Sequence, residues 1–298
     1  MTLGVDLSDS VVRVVVVNDI AQVVSRAELT PSSGNHAAAV ADAAKRAIEG
    51  AGGPVSATAV AMPLPGDDVP GDIASALADV LRDAPVPLAV GAGTASAIAE
   101  HWCGAARGLK QVIMFSVGEH VIAGTIINGA PWLGAHGLAG AFGWLAMNPV
   151  EREDYRRYGG LEAEIATAGI VKRLVWRIKS GDSSTAADHL GGDLARLTAD
   201  DVVQAARNND GVSVSVIRDT AKYIGMAVAN LATILDPEAV VLGGMLANCA
   251  DLMLDPIRVE CSRRVQPAQA DRVRIVLSTL GADAVAIGAA RAAARPRA

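Results

Sequence analysis

The stretch that decides the fold runs from Val112 to Pro149 and reads VIMFSVGEHVIAGTIINGAPWLGAHGLAGAFGWLAMNP. Val112 to Val117 and Val121 to Ile127 are β-branched and apolar, broken by Gly118, Glu119 and His120 and closed by Asn128-Gly129. That pattern predicts a β-hairpin on either side of a tight turn. From Trp132 to Trp144, glycines stand at 134, 137, 140 and 143. Each would cost roughly 1 kcal/mol against alanine in a helix interior, so a loop that brings backbone close to another group is expected.

The same plan opens the chain. Leu3 to Leu7 and Val11 to Val17 form a strand pair around Ser8-Asp9-Ser10, and Gln22 to Glu28 adds a third antiparallel strand after Asn18-Asp19. Asn35 to Glu49 has helical spacing and stops before Gly50 and Gly52; Val55 to Met62 reads as a buried strand, Gly71 to Arg82 as a helix, Pro87 to Val90 as a strand and Thr94 to Ala106 as a helix. The order β-β-β-α-β-α-β-α then restarts at Val112. Two repeats are too few for a solenoid and predict two facing lobes of an α/β protein. The lobes are expected at 1–108 and 109–282, with a last helix at 283–298 packing on the first lobe, whose sheet otherwise lacks a covering helix. Glu162 to Lys179 and Val212 to Leu235 are further helices, Ala239 to Leu242 and Val273 to Leu277 short strands, and Ser180 to Asp200 a surface excursion.

With 298 residues and 51% apolar content, the chain has ample material for a core. Residues 121–150 contain no Asp, Glu, Lys or Arg, but glycines, prolines and the Asn-Gly turn interrupt them, so no membrane span is expected. The N-terminus lacks the pattern of an export signal, and a cytoplasmic location follows as an expectation. Cys103, Cys249 and Cys261 form no CxC or CxxC pair and read as small buried hydrophobes. A net charge of -6 argues against a surface built for nucleic acid.

Several segments in order resemble the ROK family of repressors, open reading frames and sugar kinases: GVDLSDSVVRVVVV at the start, MPLPG at 62–66, AEHWCGAARGL at 99–109, NGAPWLGAHGLAG at 128–140, DPEAVVLGGML at 236–246 and LGADAVAIGAA at 280–290. The resemblance implies the actin-like ATPase fold, with two ribonuclease-H-like lobes around a cleft, and a homodimer. It also implies nucleotide-binding positions at Asp6, Gly118, Gly243 and Gly244, and sugar- or effector-binding positions at Gly66, His136 and Glu162.

The departures from the family pattern are chemical. The phosphate-cradling turns carry Asp9 and Glu119, where carboxylates repel phosphates by about 1 kcal/mol in water and about 4 near a protein surface. The family's catalytic aspartate falls on Ala92 or Gly93, so no catalytic residue is assigned. Glu100 is a poor substitute, roughly 11 to 12 Å further along the helix. Ala141 and Trp144 replace a sugar-binding glutamate and a sugar- and zinc-binding histidine, and PVEREDYRRYGGLEAE lacks the zinc cysteines, so no metal is expected. Trp144 reads as core filling, Glu162 as an exposed first-turn glutamate, and His101 and His120 show no partner in sequence.

The expectation is therefore a non-catalytic ROK protein, a regulatory or sugar-sensing effector of the repressor type, with a small sugar-like effector and no cofactor. The family's repressors carry a helix-turn-helix before the first hairpin, whereas this chain starts directly at Leu3, so no direct nucleic-acid contact is expected from it. The competing expectation is an ATP-dependent sugar kinase that uses Mg-ATP and takes its base from Asp67, Asp68 or another loop carboxylate near Gly66.

Overall fold

Valine-rich strands open the chain: β1 (Thr2–Leu7), β2 (Val12–Val17) and β3 (Val23–Leu29), then α1 (His36–Ala51), β4 (Ala57–Met62), α2 (Gly71–Leu81), β5 (Leu88–Gly91) and α3 (Ala92–Cys103). A second set follows as β6 (Val112–Val117), β7 (Val121–Ile127), β8 (Ala130–Pro131), α4 (Glu153–Tyr158), α5 (Glu162–Ile165), α6 (Thr167–Lys179), α7 (Ala199–Arg207) and α8 (Gly211–Leu235). The chain ends with β9 (Ala239–Gly244), α9 (Met245–Asn248), α10 (Ala250–Ser262), α11 (Pro267–Ala270), β10 (Arg274–Leu277) and α12 (Ala284–Ala293). This computed structural model describes residues 1–298 apart from 33, 64–67, 82–84 and 295–298.

The predicted repeat is present in the topology. One five-stranded sheet has the order β3-β2-β1-β4-β5, and the other, read in the same sense, is β8-β7-β6-β9-β10. In the first sheet β1, β2 and β3 are antiparallel, while β4 and β5 run parallel to β1. The chain divides into two compact units. Met1–Phe115, Ile122–Gly140 and the chain from Val276 form one; Ser116–Val121 and Ala141–Ile275 form the other.

In the first unit β1, β2 and β4 are largely apolar on both faces because both are covered. Leu3, Val5, Val12, Val14 and Val16 pack with Val40, Ala44 and Ala47 of α1 and Ile73 and Leu77 of α2. Val15 and Val17 point the other way, onto Ala99 of α3 and Ala286, Ile287 and Ala290 of α12. Alternation along a strand produces this division. The contact with α12 leaves no room for side chains between backbones: a Cβ on Gly4 would stand 1.9 Å from the Ala286 carbonyl oxygen, and one on Gly288 1.6 Å from that of Ala95.

One helical expectation needs correction, and further helices stand where none was expected. The helix foreseen over Glu162 to Lys179 is broken at Ala166, whose ψ of 160° is extended, because the Thr167 N–H donates to the Gly118 carbonyl at 3.0 Å instead of continuing the ladder. α7 arises at the end of the supposed excursion, started by a capping box in which Thr198 and Asp201 bond each other's backbone. α10 carries Pro256 inside it, which hides it from a periodicity reading. The end of α8 is as expected, at Asp236 in the left-handed region before Pro237.

Gly288→Ala is expected to lose about 3 kcal/mol of stability through forced separation of α12 from α3, measured by urea unfolding. Gly71→Ala, which meets nothing within 4 Å, should stay within about 0.5 kcal/mol.

Candidate functional site

Asp6 lies near the end of β1, directly opposite Arg13 of β2 in the hairpin register. The Arg13 guanidinium is 3.5 Å from Asp6, bonds Glu28 at 2.7 Å, donates to the Ala282 carbonyl at 3.0 Å and lies 3.8 Å from Asp283, which Arg26 also approaches at 3.2 Å. Burial pushes the Asp6 carboxyl up to about 6, with Arg13 pulling it down and Glu28 adding to the rise. The Asp6 carboxylate is therefore held by the chain's own arginine. The adjoining turn is also self-satisfied, since Ser8 N–H donates to Val11 O at 3.2 Å.

Ala92 is the first residue of α3 and only 3% exposed, packed among Ala59, Ala61, Ala95, Val285 and Ala289. Gly93 is closed in a different way: a Cβ there would stand 2.0 Å from the Ala123 carbonyl oxygen of β7. Both positions are shut off from solvent, and at Gly93 there is no room even for a Cβ. Glu100 is fully buried and committed elsewhere. It accepts from Ala105 N–H at 2.7 Å and from the Ser278 hydroxyl. His101 has a partner after all, with Nε2 2.9 Å from Leu109 O. His136 is exposed in the loop between Gly134 and Gly137, both with positive φ. Gly66 and Asp67 lie outside the described residues.

In the second unit, Gly118 and Gly244 come together through Val117. A Cβ on Gly244, whose φ is +65°, would stand 2.2 Å from Val117 O. Gly118 N–H donates to His120 O at 3.0 Å, so one of the amides needed for a phosphate cradle is already used. Beside this turn lies a hollow of about 780 Å³. Val171 and Val175 line it, with Trp176 64% exposed, and Glu119, Asp200, Lys172 and Lys179 on its walls.

Glu162, expected as an exposed helix-start residue, is mostly buried and bonded. Val121 N–H donates to its Oε2 at 2.9 Å, and His120 Nδ1 lies 3.2 Å from Oε1. Gly143 presses on the same carboxylate, since a Cβ there would be 3.0 Å from Oε2. Trp144, expected in the core, is 53% exposed.

The segment expected to lack the zinc cysteines contains an ionic network that sequence reading missed. Glu164 is buried, bonded by Arg152 at 2.8 Å, by Arg173 at 2.7 Å and by the Tyr155 hydroxyl; Asp154 binds Arg152 at 3.1 Å and Lys172 at 2.7 Å. Burial, then the bond to Glu164, pushes the Tyr155 phenol up; burial raises Asp154, but the bonds from Lys172 and Arg152 win and hold it low. Among the described residues no group of three or more His, Cys, Asp or Glu is placed to hold a metal ion, and no helix is long and apolar enough to cross a membrane. Cys249 and Cys261 are buried free thiols and Cys103 is half-buried.

The two repeated sheets with their helices define an α/β protein of the actin-like sugar-kinase fold. The ROK family profile matches residues 2–295, and the chain belongs to the ROK family. It is 33% identical over 196 residues to a glucokinase of Halalkalibacterium halodurans, covering 65% of this chain and 59% of that protein. It is 30% identical over 200 residues to the xylose repressor of Caldicellulosiruptor bescii, covering 65% and 48%. The matches thus span about half to three fifths of those relatives. A ROK glucokinase from Streptomyces griseus solved with glucose and AMPPNP superposes with a TM-score of 0.81 at 23% identity, over 98% of each chain. A ROK transcriptional regulator homologous to the Escherichia coli MLC protein gives 0.80 at 18%, over 97% of this chain and 76% of that one. The family includes both glucokinases and repressors.

Two outcomes follow. A carboxyl whose folded pKa is raised from 3.8 to about 6 favours folding at low pH, and that contribution is lost as pH rises through 6. Urea unfolding should therefore show Asp6→Asn gaining on the wild type by up to roughly 3 kcal/mol between pH 4 and 7.5. Arg173→Met, which removes a partner of the buried Glu164, should cost about 3 kcal/mol at pH 7.

Proposed function

We propose that this chain is a non-catalytic ROK protein that acts as a regulatory, sugar-sensing effector domain of the repressor type. The observation that carries the reading is the base position: Ala92 sits in a dry alanine cluster and Gly93 is pressed on β7. Phosphoryl transfer to a sugar hydroxyl needs a group that takes the hydroxyl proton and cations that neutralise charge on the transferred phosphoryl. Among the described residues, neither Ala92 nor Gly93 is an acid that could meet the first need. The guanidinium nearest Asp6 is already shared among Asp6, Glu28 and Asp283.

Sensing makes smaller demands, a shaped site and a few polar groups, and partly exposed Glu162, His120 and Trp144 supply such groups within one unit. A homodimer in the cytoplasm without bound cofactor or metal belongs to the same proposal. A second reading, an ATP-dependent sugar kinase, is favoured by the hollow beside Glu119 and by the glucokinase relative.

Calorimetric titration with Mg-ATP should give no heat up to about 1 mM, and a product assay with D-glucose, D-xylose and N-acetyl-D-glucosamine should show no sugar phosphate. Binding tighter than about 1 mM, roughly -4 kcal/mol, together with sugar phosphate, would establish the kinase instead. Ala92→Asp should destabilise the fold without creating turnover, because it buries a charge in an apolar cluster.

A further inference from the structure

Glu162 is fixed from two directions by groups near the turn between β6 and β7. One oxygen accepts the Val121 N–H at 2.9 Å and the other faces His120 Nδ1 at 3.2 Å. An ionised carboxylate only accepts, so the imidazole must donate through Nδ1. The Gly143 turn closes against the same side chain, and Leu161 N–H holds that turn by donating to Gly143 O at 3.0 Å. With both oxygens engaged, the carboxylate cannot rotate freely.

A carboxylate offers about four acceptor positions. Val121 and His120 use two, and the side chain remains 16% exposed. What remains suits hydroxyl donors. A phosphate or carboxylate placed there would bring acceptor against acceptor. Trp144, which follows Gly143 on the turn that packs against Glu162, is exposed.

We propose that His120 is a positioning residue for saccharide recognition: by donating to Glu162 it orients the carboxylate to accept two adjacent hydroxyls of an uncharged monosaccharide. This rests on the sugar-sensing reading and deepens it by naming a residue of the tight turn that orients Glu162. His120 acts through Glu162.

The test is calorimetry of the full chain with D-glucose, D-xylose and N-acetyl-D-glucosamine. For each sugar that binds the wild type, His120→Ala should weaken binding about ten- to a hundredfold, the range for loss of a hydrogen bond to a charged group. His120→Asn, whose amide N–H stands near the place of Nδ1, should stay within about threefold. A merely structural role would not divide the variants by the donor. His120→Leu keeps the bulk without the donor and repeats the test should the alanine variant fail to fold; thermal melts identify folded variants. Affinity unchanged in His120→Ala or His120→Leu, or an asparagine variant as weak as either, overturns the inference alone. No binding of any of the three sugars to the wild type overturns the sensing reading and this inference with it.

Discussion

No side chain stands between Gly93 at the start of α3 and the backbone of β7. A Cβ on Gly93 would lie 2.0 Å from Ala123 O, one on Gly124 2.3 Å from Gly93 O, and one on Gly140 2.4 Å from Ala123 O. Three backbone segments, from a helix, a strand and the glycine loop, meet at this point. Separating any of them by a methyl group would move an element that the rest of the first unit packs against. The junction of β5 with α3 is thus set by contact between backbones. Glycines there are accounted for by packing, and their presence carries no information about phosphate or sugar.

That constraint also separates what is legible in the sequence from what is not. Period-two valines and short turns point to the strand pairs, and the recurrence of the pattern points to the shared strand order, because both depend on local alternation and burial. The Asp6–Arg13 pair is readable in principle, since a turn over Ser8 to Ser10 places them opposite each other. Arg13's reach to Ala282 and Asp283 is not readable, as it joins residues about 270 positions apart. His120 and Glu162 are likewise distant in sequence, and their pairing depends on α5 turning back toward the hairpin. The exposure of Trp144 escapes any reading by volume alone, because a residue following Gly143 in a short 3-10 turn need not enter the core.

Charged side chains at the chemically interesting positions are mostly answered from within the chain. Arg13 serves three carboxylates, Glu164 has two arginines and a tyrosine, and Glu162 has a backbone amide and an imidazole. Partial burial explains the pattern, because an ion removed from water is costly unless paired and hydrogen-bonded. The networks differ in how much capacity they leave. Glu164 is 8% exposed and ringed by donors, so it stiffens the segment that joins α4 to α6. Glu162 is twice as exposed and has fewer donors.

This difference in leftover capacity separates the two functional readings more sharply than overall similarity does. Within the first unit the arginine beside Asp6 is already shared, and within the second the Gly118 amide is already bonded to His120 O. Each occupied group would have to release its present partner before it could serve a phosphate, a cost added to the repulsion from Asp9 and Glu119. A hydroxylated ligand at Glu162 displaces neither protein donor, since its hydroxyls add to a carboxylate that still has acceptor positions. Recognition without phosphoryl transfer therefore requires the smaller rearrangement of this fold.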